Sequence, residues 1–404
     1  MSVPKLRFKE FNSDWTFKNL SDVSNKPLYG MNSAATDFDG ENKYLRITDI
    51  DEESHRFKFT KLSSPSDVIE EKYILKEGDL LFARTGASVG KSYIYDPDDG
   101  KVVFAGFLIK FGLKESVIPY FIFTQTLSEK FNNWVITNSM RSGQPGINAE
   151  EYSKWQIAFT SKPEQTKITS FLSAVDEKIS QLTQKHELLS QYKQGMMQKL
   201  FSQQIRFKAN DGSEFGEWEE KPLIEITSKA SGKNKDGSVT EVLTNSATKG
   251  IIKQSDYFDR EIVTESNLNG YYIVNIDDFV YNPRISVHAP VGPIKRNKQC
   301  LGVMSPLYTV FKITQGNLTY LEYFFDSNFW HDYVKSVANS GARHDRMNIT
   351  NKDFFDMPVL YPSLEEQTKI ANFLSAIDQK IEVVAQQIEQ AKQWKKGLLQ
   401  QMFV

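Results

Sequence analysis

A stretch of 38 residues occurs twice in this chain and constrains everything else it can fold into. Residues 164–201 and 366–403 align at a constant offset of 202 residues without a gap, and 19 of the 38 positions are identical. Both copies open EQTKI and end in phenylalanine, Phe201 and Phe403. A repeat this long marks duplication of a half-chain unit.

The repeat is built as a helix. Ser161 and Ser363 each stand three residues before a glutamate, Glu164 and Glu366, and the Ser-x-x-Glu pattern predicts a capped first turn. Apolar side chains then recur in steps of four and three: Ile168, Leu172, Val175, Ile179, Leu182, Leu189, Met196 and Leu200. The second copy supplies Ile370, Leu374, Ile377, Ile381, Val384, Ile388, Leu398 and Met402. This period lays one stripe along a supercoiling helix. At about 1.5 Å per residue such a helix would be roughly 57 Å long. The stripe needs a partner helix, and the other copy is the nearest one available. His186, Lys193 and Lys395 interrupt it. Gly195 and Gly397 sit at matching places, where each costs about 1 kcal/mol relative to alanine. Close approach of another helix and a local kink both account for them.

The segments between the helices are large enough for cores of their own. The order reads as globule 1–160, long helix 161–205, globule 206–362 and long helix 363–404. Apolar residues make up 40% and aromatics 13% of the chain, which suffices for real cores. Cys300 is the one cysteine, so no disulfide framework or cysteine metal cluster is expected. The five histidines, His55, His186, His288, His331 and His344, show no metal spacing. No signal peptide and no long apolar run are visible, which predicts a cytoplasmic chain without membrane contact.

Charge alone gives no hint of a nucleic-acid partner. The net charge is −2, from 49 basic and 51 acidic residues. No segment is strongly basic: the two globules carry 20 against 22 and 18 against 20, the two helices 6 against 4 and 5 against 5. A DNA-binding face must then arise from sorting of charge in space or from a basic partner.

Both globules read as strands followed by an aromatic helix and a polar loop. Residues 73–82, YILKEGDLLF, predict strand, turn and strand, and 271–281, YYIVNIDDFVY, run parallel to them with Asp278 opposite Asp79. Residues 44–50, 93–95 and 102–111 extend the first sheet. Residues 120–135 and 320–334 have aromatic residues at helical spacing. The loops 138–148 and 339–350 are rich in hydrogen-bond donors. Residues 155–159 and 357–361 are short strands leading into the long helices. The helices match far better than the globules, which points to a shared assembly task for the helices and different targets for the globules.

No catalytic motif is complete. Gly86 to Ser92, GASVGKS, has three residues between its glycines where a phosphate loop needs four. Asn282-Pro283-Arg284 is similar to the Asn-Pro-Pro-aromatic loop of adenine methyltransferases but lacks the second proline and the aromatic. Asp79, Asp99 and Lys101 mimic a nuclease core, yet Pro97-Asp98-Asp99-Gly100 is a better turn. Trp15, Trp155 and Trp218 read as core.

The doubled EQTKI–FLSAxDxKI–G–F helix, with TSKPEQ or YPSLEEQ ahead of it, resembles the specificity subunits of type I restriction–modification systems. GDLLFARTG, IDDFVYNPR and the loop ends GQPGIN and RMNIT fit the same family, and the resemblance spans essentially the whole chain. It implies an α+β fold: two target-recognition globules of mixed sheet and helices, joined by two long helices in an antiparallel coiled coil with pseudo-two-fold symmetry. Each globule is then expected to read one half of a bipartite sequence in double-stranded DNA, with the helices setting the gap between halves. Two methyltransferase subunits and motor-endonuclease subunits are the implied partners. S-adenosylmethionine, ATP and magnesium belong on those partners, and no cofactor, metal or catalytic residue is expected here. A stand-alone methyltransferase or nuclease, or a coiled-coil scaffold that binds only proteins, are the alternatives.

Bases are read at their edges by Arg, Lys, Asn and Gln, while phosphate contacts set position. Residues of these kinds in polar or Gly-rich segments beside apolar strands are the candidate readers. In the first globule they are Arg84, Thr85, Lys91, Arg141, Ser142, Gln144 and Asn148. In the second they are Lys233, Lys235, Asn245, Lys249, Arg284, His288, Arg343, His344, Arg346 and Asn348.

Overall fold

The computed structural model describes residues 3–141, 143–229, 232–256, 265–338 and 345–403. Ser142, Arg343 and His344 lie outside them. The chain forms two compact units, Met1–Gln184 with Ala385–Val404, and Lys185–Val384. Each unit therefore combines one globule with a half of each long helix.

In the first unit a four-stranded antiparallel sheet runs in the order Leu28–Tyr29, Leu108–Gly112, Asp79–Ala83, Ser92–Ile94. Lys43–Leu45 pairs parallel with Val102–Phe104, so the β-structure is mixed. Thr16–Asn19 pairs antiparallel with Gln156–Phe159, closing the ends of the globule on each other just before the long helix. The second unit repeats this plan. Its four-stranded sheet runs Thr227–Lys229, Thr309–Ile313, Phe279–Tyr281, Ile294–Arg296, and Glu219–Pro222 pairs with Pro358–Tyr361. The duplication visible in the helices thus extends through the globules.

Several sequence-based elements are shorter than expected. Residues 73–82 hold one strand, Asp79–Ala83, preceded by a 3-10 turn at Glu71–Tyr73. The Asp79 carboxylate accepts the Lys76 amide at 2.9 Å, and Asp278 accepts that of Asn275 at 2.8 Å, so each aspartate closes the turn into its strand. Residues 102–111 split into Val102–Phe104 and Leu108–Gly112, which join different sheets. The aromatic helices are each two helices: Pro119–Gln125 and Glu129–Ser139, then Leu318–Asp326 and His331–Val337. Ser128 breaks the first pair by accepting the Phe131 amide as an N-cap.

The long helices run Lys162–Phe201 and Leu364–Met402. Ile168, Leu172 and Val175 share one core with Leu398, Leu399 and Met402 in the first unit. Leu200 and Phe201 share another with Ile370, Leu374 and Ile377 in the second. In each unit the start of one helix lies beside the end of the other, so the pair is antiparallel. Leu182 and Val384 are buried, and Ile179, Leu189, Met196, Ile381 and Ile388 are half-buried. A Cβ at Gly195 would meet nothing within 4 Å, so close packing inside the described fold is not what places glycine there.

Two of the three interruptions in the stripe, the lysines, are paired. Lys395 meets Asp176 at 2.5 Å in the first unit, and Lys193 meets Asp378 at 2.6 Å in the second. Tyr120 donates to Asp176, and Tyr323 donates to Asp378 at 2.6 Å. Burial, reinforced by the adjacent carboxylate, pushes both phenols well above their ordinary range.

The first turn of each long helix differs from the capping box. Glu164 and Glu366 are fully buried. Arg7 forks onto Glu164 at 2.7 and 2.8 Å and Arg206 onto Glu366 at 3.1 and 2.8 Å. Trp15 and Trp218 donate their indole N–H to the same two carboxylates. The glutamates hold the arm that precedes each globule instead of reaching back to the cap. Ser363 Oγ still accepts the Glu366 amide at 3.3 Å.

Candidate nucleic-acid interface

The polar loops meet the ends of the central strands in the same manner in both units. In the first, the chain leaves the strand Asp79–Ala83 through Arg84 and Thr85. Thr85 bridges Gly146, the Gly86 amide donates to the Pro145 carbonyl, and the Ile147 amide donates to the Arg84 carbonyl. In the second, the chain leaves Phe279–Tyr281 through Asn282 and Pro283. Arg284 bridges Arg346, the Ile285 amide donates to the Asp345 carbonyl, and the Met347 amide donates to the Pro283 carbonyl. Backbone pairing thus joins two segments far apart in sequence into one polar edge per unit.

Arg84, Thr85, Gln144 and Asn148 come together at the first edge. Arg84 is half-buried, with its guanidinium 5.2 Å from the Tyr29 ring and 5.7 Å from the Phe107 ring. Gln144 is exposed, and its amide nitrogen lies 3.1 Å from where a Cβ on Gly86 would stand. Gly86 has φ of +79°, a conformation that favours glycine. Asn148 accepts the Glu151 amide at 2.9 Å as the N-cap of the helix Ala149–Ser153. Arg141 sits in the same loop but is paired: it meets Glu151 at 2.5 Å and donates to the carbonyls of Asn138 and Met140.

Arg284, Arg346 and Asn348 come together at the second edge. Arg284 and Asn348 are exposed, and Arg346 lies 3.4 Å from Asp345. His288 is exposed and lines a 460 Å³ cleft shared with Gln194, Gln198, Asn328 and His331. Burial depresses the His331 pKa below the ordinary imidazole value. Lys233, Lys235 and Lys249 are exposed on segments outside the paired loops.

Two expected readers are corrected by their burial. Lys91 is 7% exposed, and its ammonium meets Glu52 at 2.6 Å and the Ile47 carbonyl at 3.3 Å. Glu52 supplies the ionic partner that a buried ammonium needs. The same geometry removes the phosphate-loop reading of 86–92. Asn245 is 3% exposed and donates to the Val280 and Pro293 carbonyls, tying strands together inside the globule. The nuclease-like residues also diverge. Asp79 lies 3.2 Å from Lys110, Asp99 accepts the Tyr93 hydroxyl at 2.5 Å, and Lys101 pairs with Glu41. Sequence reasoning missed Tyr29 and Phe107, whose only signal was an aromatic beside an apolar run.

The family model for the type I restriction modification DNA specificity domain matches twice, at residues 12–191 and 216–393. The chain belongs to this family. Each match covers one globule and most of the helix that follows it, the unit of the duplication. A specificity-subunit sequence of Methanocaldococcus jannaschii named for the type I restriction enzyme MjaX is 27% identical over 422 residues, covering 98% of this chain and 94% of its own length. The MjaVIII specificity subunit from the same organism is 24% identical, covering 97% and 94%. The crystal structure of a type I restriction–modification S subunit from M. genitalium has a TM-score of 0.56 at 14% identity, covering 100% of this chain and 99% of that one, a likeness of fold. Type I specificity chains recognise DNA and assemble with the other subunits of their system without catalysing a reaction. Among the described residues no helix is long and apolar enough to cross a membrane.

Proposed function

We propose that this chain directs a type I restriction–modification complex to a bipartite DNA sequence, each globule reading one half-site through its paired-loop edge. The observation that carries this is the double family match, one per globule, on edges built by the same backbone pairing from different side chains. Arg84, Thr85, Gln144 and Asn148 serve the first half-site. Arg284, Arg346 and Asn348 serve the second. From sequence alone, Ser142 is assigned to the first half-site and Arg343 and His344 to the second. Lys233, Lys235, Lys249 and Arg141 are assigned to phosphate, where charge matters more than a fixed fork. The domains follow the sequence boundaries: readers at 1–160 and 206–362, and assembly helices at 161–205 and 363–404. Two methyltransferase subunits dock on the duplicated helices, and motor-endonuclease subunits join that complex. S-adenosylmethionine, ATP and magnesium act on those partners.

The test is to express the chain with its methyltransferase subunits in a host lacking adenine methylation and map methylated positions genome-wide. A single two-part motif with a fixed unspecified gap is expected. Methylation without a motif, or methyl transfer by the purified chain alone, would overturn the proposal in favour of a stand-alone enzyme. Assembly without any DNA footprint would favour a protein-only scaffold.

A further inference from the structure

At the end of the first unit's central sheet three neighbouring strands deliver three side chains to one place. Tyr29 ends the strand Leu28–Tyr29, Phe107 precedes Leu108–Gly112, and Arg84 follows Asp79–Ala83. The Arg84 amide donates to the Phe107 carbonyl at 3.0 Å, and Tyr29 pairs with Ile109. Gly30 lets the backbones close: a Cβ there would stand 2.1 Å from the Ala105 carbonyl oxygen. The Tyr29 hydroxyl accepts the Ala149 amide at 3.2 Å, fixing the ring against the polar loop.

The guanidinium between these rings is unusual in what it lacks. Among the described residues it donates to no carboxylate and to no carbonyl. Its buried Nε has no hydrogen-bond partner. A buried unpaired donor is a cost that a merely structural position would lose by substitution. The stacking rings are themselves largely open to solvent, Tyr29 at 40% and Phe107 at 60% exposure. Cation–π contact with the two rings, at 5.2 and 5.7 Å, positions the guanidinium, and among the described residues its Nη atoms have no hydrogen-bond partner. The other arginine of this edge, Arg141, is already committed to Glu151.

Resting on the DNA-reading function above, we propose that Tyr29, Arg84 and Phe107 form a guanine-reading clamp. The Nη fork donates to guanine O6 and N7 in the major groove, the pairing that this fork geometry fits. Tyr29 and Phe107 are positioning residues that hold the fork before DNA arrives, so less rotamer freedom is lost on binding. The second unit has Pro283 at the corresponding exit from its strand, so the clamp serves one half-site only.

The experiment uses the assembled complex and its mapped motif. Each guanine of the motif is replaced singly by 7-deazaguanine, which lacks the N7 acceptor, and binding is measured for wild type, Arg84→Lys, Arg84→Gln and Phe107→Ala. One guanine, in one half-site, is expected to be sensitive in wild type. Arg84→Lys keeps the charge but loses the fork, so discrimination at that guanine should fall about 5- to 140-fold, with the other positions unchanged. Phe107→Ala should loosen the same position without lowering the melting temperature, since the ring is mostly exposed. Uniform weakening over all sequences that Arg84→Lys restores relative to Arg84→Gln marks a phosphate grip and overturns the clamp. A motif without any guanine sensitive to Arg84→Lys does the same while leaving the DNA-reading function standing. Loss of any motif in wild type strikes that function instead.

Discussion

At the scale of single residues, the buried glutamates show how a motif can be legible in place and misread in role. Glu164 and Glu366 read from sequence as cap residues, because Ser-x-x-Glu before an apolar stripe usually is one. Their partners Arg7 and Arg206 lie more than 150 positions away, and no local pattern encodes a pairing at that range. Glu366→Gln should remove the charge that Arg206 and Trp218 share. Breaking such a buried pair costs about 3 kcal/mol, because Arg206 keeps some solvent contact at 20% exposure. Denaturant titration reads it, and a change below about 0.5 kcal/mol would show that the arm is held by apolar contacts such as the edge-on Phe207–Phe373 pair. His55 provides a pH-dependent counterpart. Burial depresses its pKa, the Ser92 carbonyl opposes that, and Lys91 adds to it. The unfolded state then binds a proton that the folded state does not. Stability is fully present above about pH 6.5 and falls as pH drops below it. His55→Gln should flatten that acid limb in melting curves. An unchanged limb would assign it to the half-buried His331 instead.

At the scale of elements, periodicity is the reliable signal and continuity the weak one. The 4-3 stripe locates both long helices to within about two residues, because hardly any structure but a helix keeps apolar side chains at that spacing over about ten turns. The aromatic helices read too long across Ser128 and across 327–330. Aromatic spacing continues there while the backbone turns, since a side chain that caps a helix also permits the next one to begin. The sheets blur for a similar reason: 102–109 is an unbroken run of apolar residues and glycine, yet the chain divides between two sheets around Gly106. The two lysine interruptions of the stripe become intelligible only with both helices present, when Lys193 finds Asp378 and Lys395 finds Asp176. They are candidates for fixing register, the best-attested task of a polar group in a seam. Leu182, 8% exposed, has no such partner. Leu182→Asp should therefore place an uncompensated charge in the seam, costing several kcal/mol. Melting and co-purification with the methyltransferase subunits should both fail. Retention of both would mean that the globules, and not the helix stripe, carry the assembly.

At the scale of the whole molecule, duplication is the fact that function has to use. The proposed reading edges share backbone pairing and differ in side chains, so their position is legible as polar loops beside apolar strands while their chemistry is not. Arg84 and Arg141 look alike in sequence, and only packing shows one in cation–π contact with two rings and the other committed to a carboxylate. The helices, by contrast, keep equivalent side chains on their outer surface. Tyr192 and Trp394 stand 202 residues apart, at 51% and 54% exposure, each three residues before a glycine. Positions three apart share a helix face. Each helix thus presents an aromatic beside a turn with no side chain: a Cβ on Gly195 would meet nothing within 4 Å, and one on Gly397 only the Gln401 amide at 3.9 Å. An exposed aromatic beside open backbone is the anchor type that dominates binding energy. If these are the two docking points, the chain binds two methyltransferase subunits and each point serves one. Native mass measurement of the complex, titrated with methyltransferase subunit, should give two binding events per chain. Tyr192→Ala and Trp394→Ala should each weaken one event by about 2 kcal/mol, and the double variant both. Trp394 also packs edge-on against Phe171 at 5.9 Å, so Trp394→Phe is the control that keeps this packing. A saturated complex with one methyltransferase subunit would remove the two-fold assembly, and two events untouched by either substitution would move docking off this helix face.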